Sequence, residues 1–161
     1  MEFYWAGLFH VRMLSASLKK DFLVASRRRF HGTGNGGKME LTLITLFILK
    51  HTIADYFTQY SWMIKDKGTY GAWGGLAHAG WHGLLTFSIL VYVPIVFQYA
   101  VLCALADMII HYHVDYVKSN FWKSKNLTPM DQQYWIAHGV DQLLHLLTYV
   151  GIIYVCVSNL M

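Results

Sequence analysis

The stretch IVFQYAVLCALADMIIHYHVDYVKS, residues 95–119, combines a long apolar run with titratable side chains spaced one helical turn apart. At a rise of 1.5 Å per residue, a helix of this length can cross the ~30 Å hydrocarbon core of a bilayer. Asp107, His111 and Asp115 share one face of that helix, because residues four apart on a helix are neighbours. The stretch therefore predicts a transmembrane helix with a single polar stripe.

Three other segments of the chain are similarly apolar and long. We predict transmembrane helices at residues 41–63, 72–92, 95–119 and 129–158. Pro94 separates the second helix from the third, because proline removes a backbone donor and clashes with the preceding turn. Thr128 can cap the fourth helix, with Pro129 at its first position and Asp131 near the positive end of the helix dipole.

The composition excludes an ordinary soluble domain of this size. Of the 161 residues, 55% are hydrophobic and only 14% are charged, and the mean hydropathy is +0.33. The net charge of +4 comes from short basic clusters between apolar runs, which is typical of membrane orientation signals and does not indicate a nucleic-acid partner. Cys103 and Cys156 lie within apolar runs and are interpreted as small buried hydrophobes. The predicted partner is therefore the lipid bilayer.

The first 38 residues differ from the rest of the chain. They contain the basic run Arg27–Arg29 and a glycine-rich segment without apolar periodicity. We interpret residues 1–38 as a flexible, basic N-terminal extension, or as a non-native one if translation starts at Met39. Residues 39–161 then form an all-α domain, an integral membrane four-helix up-and-down bundle.

Each predicted helix carries polar side chains one turn apart. The pairs are His51 with Asp55, His78 with His82, His111 with Asp115, and Asp141 with His145. In an antiparallel bundle these pairs lie at the same depth, because they occupy the C-terminal halves of the first and third helices and the N-terminal halves of the second and fourth. Intramembrane ionisable groups are costly and usually functional, so we expect one shared site.

Imidazole and carboxylate groups in this arrangement are typical ligands of Zn, Mn or Fe. The predicted metal ligands are His51, Asp55, His78, His82, His111, Asp115, Asp141 and His145. Hydrogen bonds between helices are the alternative explanation for the same residues. Asp107 is interpreted as a deep ligand or a buried neutral acid, Lys50 as a residue that reaches the interface or pairs with an acid, and His113 as peripheral.

The preferred hypothesis is a metal-dependent hydrolase that acts on an anionic, lipid-proximal substrate such as a phosphorylated one. Asp55 or Asp115 would bridge metals or act as the base, and Lys118 would hold the substrate's charge or simply anchor the helix at the interface. No Ser or Cys lies one helical turn from a His of the stripes, which favours a metal-activated water as nucleophile. Ser119, one turn past Asp115, is the alternative covalent nucleophile. The rival hypothesis is non-enzymatic: proton or metal-ion handling, or binding of a host membrane partner by a phage-type factor.

These motifs resemble a known family, the small bacterial and phage membrane proteins catalogued as domain of unknown function 3307. The matching pieces are HTIADYFTQ (residues 51–59), the His78 and His82 pair, HYHVDYVK (residues 111–118) and DQLLH (residues 141–145). The resemblance covers about residues 43–150 and implies the fold and the site more than a reaction; the N-terminal extension departs from it. More distantly, the pattern is similar to membrane-bound metal-dependent hydrolases, an analogy only.

The loops predict the orientation. Lys65 and Lys67 follow the first helix, and Lys123 and Lys125 follow the third. Positive loops stay in the cytoplasm, so we expect the polar side to face the cytoplasm, in a bacterial inner membrane. Arg27–Arg29 would compete with this orientation if the extension is native.

Overall fold

The computed structural model describes residues 35–160, and its regular elements are helices without strands in that range. The elements are α1 (Asn35–Thr52), a π-helical turn that continues it (Ile53–Phe57), α2 (Ser61–Asp66), α3 (Trp73–Leu90), α4 (Phe97–Lys125) and α5 (Gln132–Leu160). The all-α prediction is confirmed for these residues. The predicted N-terminal extension lies outside them, except for residues 35–38, which begin α1.

The first predicted helix, residues 41–63, is wrong in its second half. Regular α-helix ends at Thr52, and the Thr58 N–H bonds to the Ile53 carbonyl at 2.9 Å, with the five-residue spacing of a π-helix. The Thr58 hydroxyl also donates to this carbonyl at 3.1 Å and accepts the indole N–H of Trp81 at 2.9 Å. Such competition by a side chain for backbone groups ends helices, and apolar content alone does not reveal it.

The other three predicted helices exist, with shifted ends. Pro94 lies in the turn between α3 and α4, as predicted. α4 extends past the predicted Ser119 to Lys125, and it ends at Asn126, whose φ of 50° is left-handed. The Asn126 N–H bonds back to carbonyls of the last turn, which is a common way to close a helix.

The predicted start of the fourth helix is wrong, because α5 begins at Gln132 and not at Pro129. The Asp131 carboxylate accepts hydrogen bonds from the backbone N–H of Thr128 at 2.7 Å and from its hydroxyl at 2.9 Å. Residues 128–131 thus form a closed turn ahead of the helix, and the Thr128 hydroxyl does not cap it. These two bonds hold the pKa of Asp131 below its ordinary value.

The four long helices form a ring in which α1 contacts α3, α3 contacts α4, α4 contacts α5 and α5 contacts α1. Neighbouring helices run antiparallel. Along α3, for example, His78 reaches His111 whereas the later Thr86 reaches the earlier Asp107. The antiparallel ring therefore brings the polar stripes to one level, as the sequence predicts.

One half of this ring is an apolar core, formed where the sequence has its apolar runs. Its buried members are Leu43, Phe47, Leu90, Ala100, Cys103, Tyr149, Ile152, Ile153 and Cys156. The two cysteines are buried and free, so their interpretation as small hydrophobes is confirmed. This core closes the end of the ring opposite the polar cluster.

Helices α3 and α4 approach each other closely at Gly83. A Cβ at this position would lie 3.0 Å from the Ala104 carbonyl oxygen and 3.0 Å from the Met108 Cβ. The missing side chain lets the rings of His82 and His111 stack with their centroids 3.6 Å apart.

Two helices of the described range are long and apolar enough to cross a membrane, Phe97–Lys125 and Gln132–Asn159. Of the four predicted spanning helices, only these two meet this criterion of length and hydropathy within the described range. α1 and α3 have 18 residues each, or about 27 Å of helix. α1 also carries Lys38, Glu40 and Lys50, and α3 carries glycines and two histidines, which lower their apolar character.

Candidate metal centre

Asp55 lies at the centre of the polar cluster. Its Oδ1 is 3.1 Å from His78 Nε2 and 3.2 Å from His82 Nε2, with His111 Nε2 at 3.9 Å, and its Oδ2 is 3.3 Å from His51 Nε2. Asp55 belongs to the π-helical turn, whose extra residue changes the direction of the side chains that follow. The carboxylate thus faces imidazoles from α1, α3 and α4.

The histidines of α3 and α4 form a compact, buried stack. His78 and His82 lie one turn apart with ring centroids 4.7 Å apart, and His111 stacks against both His82 and, at 4.0 Å, His145. His78 Nε2 and His111 Nε2 are 3.1 Å apart. Two imidazole nitrogens at this distance share a proton or face a common cation, because two bare lone pairs would repel.

Six of the predicted ligands fall into two overlapping groups that can hold a metal ion. The first group is Asp55, His78, His82 and His111, and the second is His111, Asp115 and His145. In each group the ligand atoms lie within 4.8 Å of one another. Asp115 connects the two groups, since its Oδ2 is 3.3 Å from His78 Nε2 and 3.4 Å from His111 Nε2.

His51 and Asp141, the other two predicted ligands, lie beside these groups. His51 Nδ1 is 2.9 Å from the Tyr149 hydroxyl, and its Nε2 is 2.9 Å from Gln142 Oε1. Asp141 accepts hydrogen bonds from Lys118 at 2.7 Å and from Gln142 at 3.1 Å. Hydrogen bonds thus engage both ring nitrogens of His51, and Tyr149 is a partner that the apolar pattern of its helix concealed.

The ring nitrogens of His145 have fewer hydrogen-bond partners than those of His51. Its Nε2 is buried without a hydrogen-bond partner in the described part of the chain, and Asp141 Oδ1 lies 3.5 Å away. A buried ring nitrogen without a partner is destabilising by about 1–3 kcal/mol. A cation held by the second group would remove that cost.

Three lysines balance most of the negative charge. Lys50 Nζ is 2.6 Å from Asp107 Oδ2, which also accepts the hydroxyl of Thr86 at 2.6 Å. Lys50 contacts His82 as well, at 3.3 Å from its carbonyl oxygen. Lys50 therefore pairs with an acid, which was one of its two predicted roles. Asp107 is the acid in this pair and belongs to neither metal-binding group.

Lys67 joins the site although the sequence suggests only an orientation charge in a loop. Its Nζ is 2.6 Å from Asp115 Oδ2, and its side chain is 7% exposed. Lys67 follows α2, which packs on α3 at Gly74, where a Cβ would lie 2.7 Å from the Trp62 carbonyl oxygen. The sequence does not reveal that the helix ends after the π-helical turn. The contact of Lys67 with the cluster could therefore not be predicted either.

Lys118 bridges two carboxylates at the mouth of the site. Its Nζ is 2.9 Å from Asp115 Oδ1 and 2.7 Å from Asp141 Oδ2. The predicted role in holding a substrate anion stays a prediction, since both contacts already use its charge. His113 is exposed and bonds to Tyr70 and to the Ile109 carbonyl, so its peripheral position is confirmed.

A cleft of about 660 Å³ leads from the surface to Asp55. Four lysines line it, and Asp55 is its only acidic lining residue in the part of the chain that the structure describes. The lysines are Lys65, Lys67, Lys118 and Lys123. Trp122 and Tyr134, stacked with their rings 4.0 Å apart, are aromatic members of the same lining. Lys67 and Lys118 are paired with Asp115 and Asp141, whereas Lys65 and Lys123 have no salt bridge among the described residues. These two lysines therefore present positive charge to a molecule that approaches the cluster.

Comparison with known proteins identifies the family. No curated protein and no solved structure matches the chain, and similarity to membrane-bound metal-dependent hydrolases is not shown. A family model described as "Protein of unknown function (DUF3307)" matches residues 43–161. This range contains all the polar stripes and extends the predicted resemblance to the end of the chain. The chain therefore belongs to the DUF3307 family.

Proposed function

We propose that this protein is an integral membrane hydrolase in which the buried His/Asp cluster holds a divalent cation that activates water against an anionic substrate. The observation that carries the proposal is the environment of Asp55. Its carboxylate contacts His51, His78, His82 and His111 and has no lysine within salt-bridge distance among the described residues. An ionised carboxylate surrounded by imidazoles is a favourable site for a cation.

The charge balance of the cluster supports a bound cation. Its carboxylates are the buried Asp107, Asp115 and Asp141 and the 10% exposed Asp55, and its ammonium groups are Lys50, Lys67 and Lys118. With neutral imidazoles the cluster keeps one negative charge, and burying an uncompensated charge is very costly. A divalent cation or an additional proton compensates this charge.

The spacing of the ligand atoms fits a metal ion, although hydrogen bonds between the same atoms have similar lengths. Bonds of ~2.0–2.1 Å in a tetrahedral site place ligand atoms roughly 3.3 Å apart. The distances from Asp55 Oδ1 to His78 Nε2, from Asp55 Oδ1 to His82 Nε2 and from His78 Nε2 to His111 Nε2 are 3.1, 3.2 and 3.1 Å. Small side-chain shifts suffice to bind an ion such as Zn, Mn or Fe.

The surface of the long helices supports a membrane location. In the most apolar windows of α4 and α5 only 33% of the residues are buried. The exposed remainder includes large apolar side chains such as Leu102, Val117, Leu147 and Val150, each more than half exposed. Continuous apolar surface of this kind is unfavourable in water and favourable in lipid. We place α1 and α3 in the same bilayer, with the cleft on the cytoplasmic side of a bacterial inner membrane.

In this proposal the lysines of the cleft attract the substrate's negative charge, and a cation held by the His/Asp cluster would supply the Lewis acid that activates water for hydrolysis. Asp115 is the proposed base, since its Oδ2 lies between His78, His111 and Lys67. A carboxylate that accepts a proton from water there would return it to the leaving group. The opposite half argues against a transport route, because the core beyond Asp107 is apolar within residues 35–160.

Metal analysis of the detergent-purified protein tests the proposal. Cells are grown with added Zn, Mn and Fe, and the wild type is compared with His78→Ala and with His113→Ala, an exposed histidine control. We expect the wild type and His113→Ala to retain a divalent ion and to hydrolyse a chromogenic phosphate ester. We expect His78→Ala to lose both properties while it keeps its helical circular dichroism.

A wild-type protein without metal would overturn the metal centre and favour interhelical hydrogen bonding as the role of the cluster. A metal-loaded protein that hydrolyses no anionic ester would overturn the enzymatic part. That second result would favour metal-ion or proton handling.

A further inference from the structure

A second cavity lies next to the cleft, between α4 and α5. This apolar groove has a volume of about 500 Å³. Its apolar lining consists of Val114, Val117, Phe121, Ile136, Ala137, Val140 and Leu144. Along α5, the nine residues from Ile136 to Leu144 cover about 12 Å of the helix axis. The groove is thus an elongated apolar channel on the surface of the two helices most suited to a membrane.

The groove and the cleft meet at Lys118, which lines both cavities. Asp141, one of its two carboxylate partners, lines the groove, and its other partner, Asp115, contacts His78 and His111. A molecule that extends from the groove past Lys118 would therefore have its other end at the entrance to the candidate metal centre.

One cavity is charged and the other is apolar, like the head group and the hydrocarbon chain of a lipid. The cleft is lined by lysines, which attract an anionic group such as phosphate. The groove is lined mainly by aliphatic side chains that are exposed at the surface, including Val117 at 64%, Ile136 at 57% and Val140 at 52%. Apolar surface at this depth of a bilayer contacts hydrocarbon chains.

From this shared position of Lys118 and this division of charge, we infer that the substrate is a lipid phosphate whose hydrocarbon chain lies in the α4–α5 groove and whose phosphate lies in the basic cleft. The inference rests on the proposed function, because it places the phosphate at the proposed metal centre. Hydrolysis would form a bond from the water oxygen to phosphorus and break the ester bond from phosphorus to the lipid oxygen. The lipid alcohol leaves with one proton from the water, and inorganic phosphate is the second product.

The test fills the groove and a matched groove elsewhere on the same helices. Ala137→Phe places a ring in the substrate groove. Ala106→Phe places the same ring in an apolar groove of about 460 Å³ in the opposite half, also between α4 and α5. Both alanines are half-buried, so the two variants carry comparable structural cost.

Binding is measured by calorimetry on metal-loaded protein in detergent, with dodecyl phosphate and inorganic phosphate as the two probes. We expect the wild type and Ala106→Phe to bind dodecyl phosphate at least tenfold more tightly than inorganic phosphate. We expect Ala137→Phe to lose this preference while its affinity for inorganic phosphate is unchanged.

Three outcomes separate this inference from the proposed function. Equal affinity of the wild type for both probes, or equal weakening of dodecyl phosphate binding by both phenylalanine variants, would overturn the groove assignment. Hydrolysis of a soluble phosphate ester alongside that result would leave the metal-dependent hydrolase standing. Binding of dodecyl phosphate that depends on Ala137 without any hydrolysis would support the groove and overturn the enzymatic part.

Discussion

At the scale of single residues, the salt bridge between Lys50 and Asp107 is the deepest polar contact of the cluster. The two side chains are 4% and 1% exposed, and Nζ lies 2.6 Å from Oδ2. Removing one partner leaves the other charge buried without compensation, whereas replacing both by apolar groups is far less costly. This pair therefore links α1 to α4 across the interior of the ring, chiefly by the penalty for breaking it.

We expect Lys50→Met to destabilise the protein by about 3–5 kcal/mol. The double variant Lys50→Met with Asp107→Leu should recover most of that loss. Denaturant unfolding in mixed micelles measures both values. Asp107→Leu is measured alone as well. If the loss of unfolding free energy in the double variant equals the sum of the losses in the two single variants, Lys50 and Asp107 do not stabilise each other.

Asp131 provides a pH-dependent contact outside the helices. Hydrogen bonds from Thr128 lower its pKa, so its contribution to the turn is present above the ordinary Asp pKa of about 3.9 and is lost as the pH falls through the lower folded value. In an NMR titration we expect the Thr128 amide shift to follow a pKa below 3.9. The Asp131→Asn variant should show no such titration, and a midpoint at or above 3.9 would contradict the turn.

Helical spacing is sufficient to predict the residues that share one helix face. His78 with His82 and His111 with Asp115 meet in the structure because a separation of four residues fixes their common face. Lys67 and Tyr149 were not predicted. Lys67 depends on how a loop folds back onto α3, and Tyr149 lies in an apolar run where a hydroxyl gives no periodic signal.

At the scale of elements, the close contact of α3 with α4 at Gly83 determines the spacing of the histidine stack. Gly83→Ala adds a Cβ 3.0 Å from both the Ala104 oxygen and the Met108 Cβ, and overpacking of this kind costs about 1–3 kcal/mol. Gly80 belongs to the same helix, and a Cβ there would contact nothing within 4 Å.

We therefore expect Gly83→Ala to lower the unfolding free energy by about 1–3 kcal/mol and to weaken metal binding. Gly80→Ala should be neutral or should stabilise by up to about 1 kcal/mol, because alanine favours helix. Unfolding and metal titration of both variants check this. Equal behaviour of the two would show that the helices do not rely on the close approach.

The π-helical turn is the element that sequence reasoning missed. Hydrophobicity continues through residues 53–57, so the pattern predicts an uninterrupted helix, whereas the hydrogen bonds of Thr58 decide the break. The existence of α3, α4 and α5 was predictable because each has a long apolar run, with Pro94 separating α3 from α4 and a polar turn separating α4 from α5. The ends of these helices were harder to predict, because they depend on single contacts such as that of Asp131 with Thr128.

At the scale of the whole molecule, the fold has two ends with different chemistry. The turn that contains Tyr92 lies at the apolar end, and the turn after α4 lies at the end of the cleft. Tyr92 is 90% exposed, Ser124 is exposed, and the native cysteines are buried. Single cysteines at these two positions can therefore report orientation against a low background.

We expect Tyr92→Cys to react with a membrane-impermeant maleimide in intact cells and Ser124→Cys to react only after the membrane is opened. The physical reason is the retention of Lys123 and Lys125 on the cytoplasmic side. The reverse labelling pattern would place the cleft outside, and labelling of both sites in intact cells would contradict a spanning bundle.

The apolar core that closes one end of the ring determines where molecules can enter and leave the protein. A water-soluble molecule that enters the basic cleft returns by the same opening, because within residues 35–160 the buried leucine, phenylalanine and isoleucine side chains close the far side. In a bilayer the protein would thus serve a single leaflet, and its products would be delivered to the compartment from which the substrate came.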